Sequence, residues 1–128
     1  MAKVLIIEDD DVIAQGMARH LQAAGFDAVG VANGETGLAR LRFEHPDVCV
    51  LDLMLPGLTG VDLYTAAVMK RPELASRFVF ISGGSFAAGT LEFFDRVRNP
   101  VLRKPMSPTE LRDVLRQVVS SAQRGPGG

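Results

Sequence analysis

Val4-Leu-Ile-Ile-Glu-Asp-Asp10 places four consecutive apolar residues directly before three acids. An unbroken apolar run, as opposed to an alternating one, is the pattern of a strand covered on both faces, as in a parallel sheet. The acids then fall where that strand leaves the core. The design repeats: Val48-Cys-Val-Leu51 leads into Asp52, Phe78-Val-Phe-Ile81 into Ser82, and the weaker Val101-Leu102 into Arg103-Lys104-Pro105. Ala28-Val-Gly-Val-Ala32 supplies one more strand, making five.

Between these runs the apolar spacing changes to that of helices. Ile13, Met17, Leu21 and Ala24 share one helical face, and Gly25 stands where a left-handed cap would end the helix. Asn33 can cap a second helix with Leu38 and Leu41 facing inward. A third, carrying Val61, Tyr64, Val68 and Met69, should stop before Arg71-Pro72. Ala87, Leu91 and Phe94 form a short fourth stripe that Gly83, Gly84 and Gly89 weaken, and Phe86, Phe93 and Phe94 cannot all face inward on it. The last helix has the plainest start: Ser107-Pro-Thr-Glu110 combines an N-cap serine, a first-turn proline and a capping-box glutamate. Leu111, Val114, Leu115, Val118 and Val119 follow as its apolar face. Strict β-α alternation with short connections implies right-handed crossovers and a doubly wound α/β sandwich, whose ligands bind beyond the carboxyl ends of the strands.

The 128 residues, 47% hydrophobic and 23% charged, suit one compact domain, expected over residues 3–120 with 121–128 as a flexible tail or linker. A net charge of −1 and the lack of a Lys/Arg run predict no nucleic-acid partner for this chain. No apolar stretch is long enough for a signal peptide or a membrane span, so a soluble cytoplasmic protein without membrane contact is expected. The single Cys49, inside an apolar run, is expected to be a small buried hydrophobe. His20, on the polar side of the first helix, and His45, before Pro46, are expected to be solvated.

The strand ends carry the chemistry. Glu8, Asp9, Asp52, Ser82 and Lys104 are far apart along the chain but converge on one edge of the expected sheet. Carboxylates gathered there repel one another and need positive compensation, which a hard cation such as Mg²⁺ supplies while still accepting a phosphate oxygen. Neither thiolate nor imidazole is at hand to favour zinc or copper. Asp52 as nucleophile, Lys104 as balancing ammonium and Ser82 as hydrogen-bond donor suit phosphoryl transfer. Asp10 is a candidate cap for the first helix.

Taken in order, Val4-Leu-Ile-Ile-Glu-Asp-Asp10, Leu51-Asp-Leu-Met-Leu-Pro-Gly57 with Gly60, Phe80-Ile-Ser-Gly83 and Lys104-Pro105 resemble the response-regulator receiver family, CheY-like, from about Lys3 to Ser120. The resemblance implies a five-stranded parallel sheet of flavodoxin-like order 2-1-3-4-5 in a (βα)5 three-layer sandwich. It implies Asp52 as phosphoacceptor, Asp9 as direct Mg²⁺ ligand, Glu8 as ligand through water, and the Met54 backbone carbonyl as a further ligand, with Mn²⁺ able to substitute. Ser82 and Lys104 would hold the phosphoryl oxygens, and the Lys104-Pro105 peptide would be cis. A histidine kinase or histidine phosphotransfer domain would be the donor, and the surface of helix four, strand five and helix five would respond. Such a protein is a signalling switch and no conventional enzyme.

Val101 departs from the pattern, since most relatives carry an aromatic residue three positions before the lysine; Ser82 would then act through the Gly83-Gly84 loop alone. The stretches Ser82-Gly-Gly-Ser-Phe86, Leu91-Glu-Phe-Phe94 and Asn99-Pro-Val-Leu-Arg-Lys-Pro105 are similar to receivers at the C-terminal end of hybrid sensor histidine kinases. Met54 and Gly84 offer no carboxylate or carboxamide to orient a hydrolytic water, which predicts slow self-dephosphorylation. Rival readings fit less well. A haloacid-dehalogenase-like phosphohydrolase would need an Asp-x-Asp motif where Met54 stands, and a flavodoxin-like FMN module needs an anion-welcoming first loop where three acids lie. An interaction domain that kept the fold and lost the chemistry would not be expected to retain Asp9, Asp52, Ser82 and Lys104 together.

Overall fold

The computed structural model describes residues 1–83 and 90–123. Strands β1 (Lys3–Ile7), β2 (Asp27–Val31), β3 (Val48–Asp52), β4 (Phe78–Ser82) and β5 (Val101–Arg103) form a parallel sheet in the order β2-β1-β3-β4-β5. Helices α1 (Asp11–Ala23), α2 (Gly34–Phe43), α3 (Gly60–Lys70), α4 (Thr90–Arg96) and α5 (Pro108–Gln123) follow the strands in turn, with a 3₁₀ segment at Pro72–Arg77 before β4. This is the doubly wound, three-layer α/β sandwich expected from the sequence, strand order included. Gly84, Phe86, Ala87, Gly89 and residues 124–128, together with the side chain of Leu91, lie outside the described residues.

Successive side chains of a strand point to opposite faces, so each apolar run feeds two cores. Val4 and Ile6 of β1, Val48 and Val50 of β3, and Val79 and Ile81 of β4 meet Ala18 and Leu21 of α1 and Leu111 and Leu115 of α5. On the other face Leu5, Ile7, Leu51, Phe78 and Phe80 meet Leu41 of α2, Leu63 and Ala67 of α3, and Phe93 of α4. Each valine, leucine, isoleucine or phenylalanine among them, taken fully from water, contributes about 1.5–3 kcal/mol. Cys49 belongs to this second core, and burial pushes its thiol far above the ordinary range.

The helix ends follow the sequence. Asp10, Asn33, Thr59 and Ser107 each accept a backbone N–H of the first helical turn, and Gly25 follows α1 with φ +97°. Two inward faces are rotated from expectation. In α1 the buried line is Ala14, Ala18 and Leu21, and Ile13 is 39% exposed. Gly30 of β2 explains it: a Cβ there would stand 2.8 Å from the Ala14 carbonyl oxygen, so helix and strand touch backbone to backbone and only alanine fits between. In α3 the buried line is Gly60, Leu63 and Ala67; Val61, Tyr64 and Val68 are half-buried, and Met69 is exposed.

His20 also differs from expectation. It is half-buried, and its Nε2 has no hydrogen-bond partner among the described residues, because the ring leans into a groove shared with Met17, Met106 and Leu111. His45 is exposed, with Nδ1 2.5 Å from Arg71 Nη2.

Candidate functional site

The three acids after β1 divide their work. Glu8 continues the β1–β2 ladder through its N–H to the Val31 carbonyl (3.1 Å), which fixes its backbone and leaves its side chain buried at the sheet edge. Asp9 is exposed beside it. Asp10 is occupied in capping α1, its Oδ1 accepting from the N–H groups of Val12 and Ile13 at 3.0 and 3.2 Å.

Asp52 ends β3 and is 2% exposed. Its Oδ1 accepts the Met54 N–H at 2.8 Å, and its Oδ2 accepts from Lys104 Nζ at 2.9 Å. The same ammonium donates to Glu8 Oε2 at 3.1 Å, so one cation bridges the two buried acids. Lys104 reaches this position because its own N–H donates to the Ser82 carbonyl at 2.9 Å, carrying the β4–β5 pairing past the strand end. The Lys104-Pro105 peptide is cis. Ser82 is buried at the end of β4, in register with Arg103.

Gly60 closes the floor. Its N–H donates to the Leu53 carbonyl at 3.2 Å, and a Cβ on it would lie 2.6 Å from both the Asp52 carbonyl oxygen and the Leu53 Cα. Between them Gly57, with φ +79°, turns the loop in the left-handed region.

Two carboxylates this close cannot ionise independently. Burial and then the contact with Asp52 push Glu8 up to about 7, against the pull of Lys104. For Asp52 burial acts the same way, but its bonds with Glu8, the Met54 amide and Lys104 outweigh burial and hold it below its ordinary value. Burial would lower Lys104; the two carboxylates more than reverse this and raise it. Glu8, Asp9 and Asp52 each offer a carboxylate oxygen within 4.8 Å of the others. An all-oxygen donor set, short of positive charge even with Lys104 in place, fits a hard divalent cation.

The response regulator receiver domain model matches residues 4–116 of the sequence. The chain belongs to this family. Receiver domains are signalling switches that accept phosphate from histidine kinases, and they bind Mg²⁺ at an acidic pocket; this chain has an acidic cluster of Glu8, Asp9 and Asp52. The receiver is similar to the probable transcriptional regulator ycf27 of Porphyridium aerugineum, at 32% identity over 91% of this chain and 49% of that protein. It is similar also to the alkaline phosphatase synthesis transcriptional regulatory protein PhoP of Bacillus subtilis, at 24% identity over 94% of this chain and 50% of that one. It thus spans about half the length, or less, of the curated relatives it matches.

Among solved structures, the fold superposes on a CheY-like receiver domain protein from Methanospirillum hungatei with a TM-score of 0.87 at 20% identity, covering 98% of this chain and 99% of that one. The Vibrio cholerae chemotaxis protein CheY4 gives a TM-score of 0.80 at 27% identity, over 92% and 98% of the two chains.

All the receiver's expected site residues lie on one sheet edge, and Glu8, Asp9, Asp52 and Lys104 gather there in a connected cluster. Met54 touches Asp52 through its backbone N–H while its side chain points to solvent. Sequence reasoning did not foresee that Lys104 bridges Glu8 and Asp52 together, nor that Tyr64 of α3 joins Phe78, Phe80 and Phe93 in an edge-to-face aromatic cluster. The first is a property of side-chain reach, which spacing does not encode. The second had a signal in the alternation of Phe78 and Phe80, which puts both rings on one face. Val101, in register with Phe80, packs against that same core.

Proposed function

We propose that Asp52 accepts a phosphoryl group from a histidine kinase or histidine phosphotransfer domain, and that the surface of α4, β5 and α5 changes in response. The observation that carries this reading is the 2.9 Å contact of Asp52 Oδ2 with Lys104 Nζ inside an all-oxygen cluster. Such a carboxylate stays ionised, and a carboxylate oxygen is nucleophilic toward phosphorus. In the transfer, the bond from phosphorus to the donor imidazole nitrogen breaks as the bond to an Asp52 oxygen forms, and the imidazole leaves with the electron pair. Lys104 turns its ammonium from the free carboxylates to the phosphoryl oxygens, and Ser82 donates its hydroxyl to them. Asp9, Asp52 and the Met54 carbonyl would hold Mg²⁺ directly and Glu8 through water, Mn²⁺ substituting. When bound, the ion neutralises oxygen charge during transfer.

An apolar groove of about 550 Å³ beside Lys104, lined by Ile13, Met17, Met106 and Leu111, supports docking of the donor along α1. Val12, next to Ile13 in α1, is 81% exposed. The domain is proposed to span 3–123, since α5 runs to Gln123, three residues past the expected boundary at 120, and to lie in the cytoplasm. A net charge of −1 favours protein partners over nucleic acid for this stretch.

Incubation with a small phosphodonor and Mg²⁺ tests the assignment. The parent should gain one acid-stable, base-labile phosphoryl group and Asp52→Asn none; an equal adduct on the variant would refute it. Met54 places no carboxylate or carboxamide beside the site, so the adduct should decay slowly without a helper. Loss within a few seconds contradicts that.

A further inference from the structure

A second surface lies at the opposite end of the sheet. Helices return antiparallel to their strands, so the carboxyl ends of α2 and α3 stand beside the start of β3, remote from Asp52. Between them runs a groove of about 270 Å³ floored by Leu38, Leu41, Ala66 and Ala67. Phe43, 82% exposed, forms one wall, and Met69 of α3, next in sequence to the lining residue Lys70, is 79% exposed. Neither belongs to a core, and the proposed phosphorylation uses neither.

The charged residues that line this groove have one sign. Arg42, Lys70 and Arg71 line it, and no acid does. Arg71 is occupied: its Nη1 donates to the Leu41 and Glu44 carbonyls, both at 2.7 Å, and its Nε to Glu73 at 3.0 Å. It thereby satisfies the exposed carbonyls of α2, whose negative end would otherwise oppose an anion. Arg42 and Lys70 are paired with no carboxylate among the described residues.

We propose that this groove docks an acidic amphipathic helix of a partner protein. An apolar trough between two helices accepts leucine-like side chains at i, i+3 and i+4, and carboxylates flanking that stripe would meet Arg42 and Lys70. Docking there leaves Asp52 open, so the partner holds the receiver equally in its free and phosphorylated states. The occupant's charge follows from the two unpaired cations, and its helical form from the trough.

The test is a titration of ¹⁵N-labelled protein with a synthetic leucine-glutamate amphipathic peptide, and with the same peptide carrying lysine for glutamate. The acidic peptide should shift the amides of Leu38, Leu41, Ala66 and Ala67 saturably, and more weakly at high salt. The double variant Arg42→Glu, Lys70→Glu should bind it about tenfold less tightly, with an unchanged circular dichroism spectrum. Phosphoryl labelling of Asp52 in that variant should match the parent, which separates this test from that of the phosphoacceptor. Equal binding of the lysine peptide, shifts centred outside the groove, or undiminished binding by the double variant would overturn the proposal. So would a dimer in sedimentation that Phe43→Ser dissociates, since the groove would then belong to a second copy.

Discussion

Lys104 Nζ lies 2.9 Å from Asp52 Oδ2 across 52 residues of chain, and the same ammonium holds Glu8 at 3.1 Å. Truncating it leaves two buried carboxylates without compensation. The side chain of Lys104 is 31% exposed, so solvent screens part of the loss, and Glu8 can take up a proton to relieve the rest. Lys104→Met should therefore cost about 1–2 kcal/mol in urea unfolding of the ion-free protein. Its labelling by a small phosphodonor should fall steeply.

Glu8 and Asp52 oppose one another in pH dependence. Glu8 is raised from 4.5 to about 7 in the folded protein, so its contribution is fully present below about 4.5 and is lost as pH rises through 7. Asp52 is lowered, so its contribution is present above its ordinary 3.8 and is lost as pH falls through its folded value. Without divalent ions, the melting temperature should decline between about pH 5 and pH 8, and Glu8→Gln should flatten the decline. Saturating Mg²⁺ should flatten it in the parent. A slope unchanged by Glu8→Gln would mean that another group titrates.

Gly60 and Gly16 make a matched pair. An alanine Cβ at Gly60 meets backbone atoms at 2.6 Å, which cannot yield without moving the loop after Asp52, whereas at Gly16 nothing lies within 4 Å. Gly60→Ala should cost about 1–3 kcal/mol and weaken Mg²⁺ binding, followed by calorimetric titration. Gly16→Ala, inside α1, should stabilise by about 0.5–1 kcal/mol.

Phe93 anchors α4, a helix of seven residues, by contacts with Phe80 at 5.2 Å and Tyr64 at 5.5 Å between ring centroids. Phe93→Ala should cost about 3–5 kcal/mol and raise amide exchange along α4. Phe43→Ala, at an exposed position, should change stability by about 0.5 kcal/mol or less.

The sheet and most of the site were legible because both leave unbroken marks in the sequence. Continuous apolar runs fixed β1, β3 and β4, and the polar residue after each run fell at the functional edge. The faces of α1 and α3 were less legible. Hydrophobic spacing favoured Ile13 and Met69, but Gly30 and Gly60 draw these helices into backbone contact, where alanine and glycine bury better than larger residues. Periodicity weights side chains by apolarity and cannot register an approach that depends on their being small. The sharing of Lys104 between Glu8 and Asp52 was hidden for a related reason: a flexible four-carbon stem leaves no trace in spacing.

The sealed position of Cys49 has a practical outcome. Its thiol is covered and disfavours the reactive thiolate, so alkylating reagents will find the native fold inert. One cysteine engineered at exposed Glu92 or Asp95 would be the sole reactive handle on the molecule. A spectroscopic label attached there could follow α4 through a phosphorylation cycle in otherwise unaltered protein.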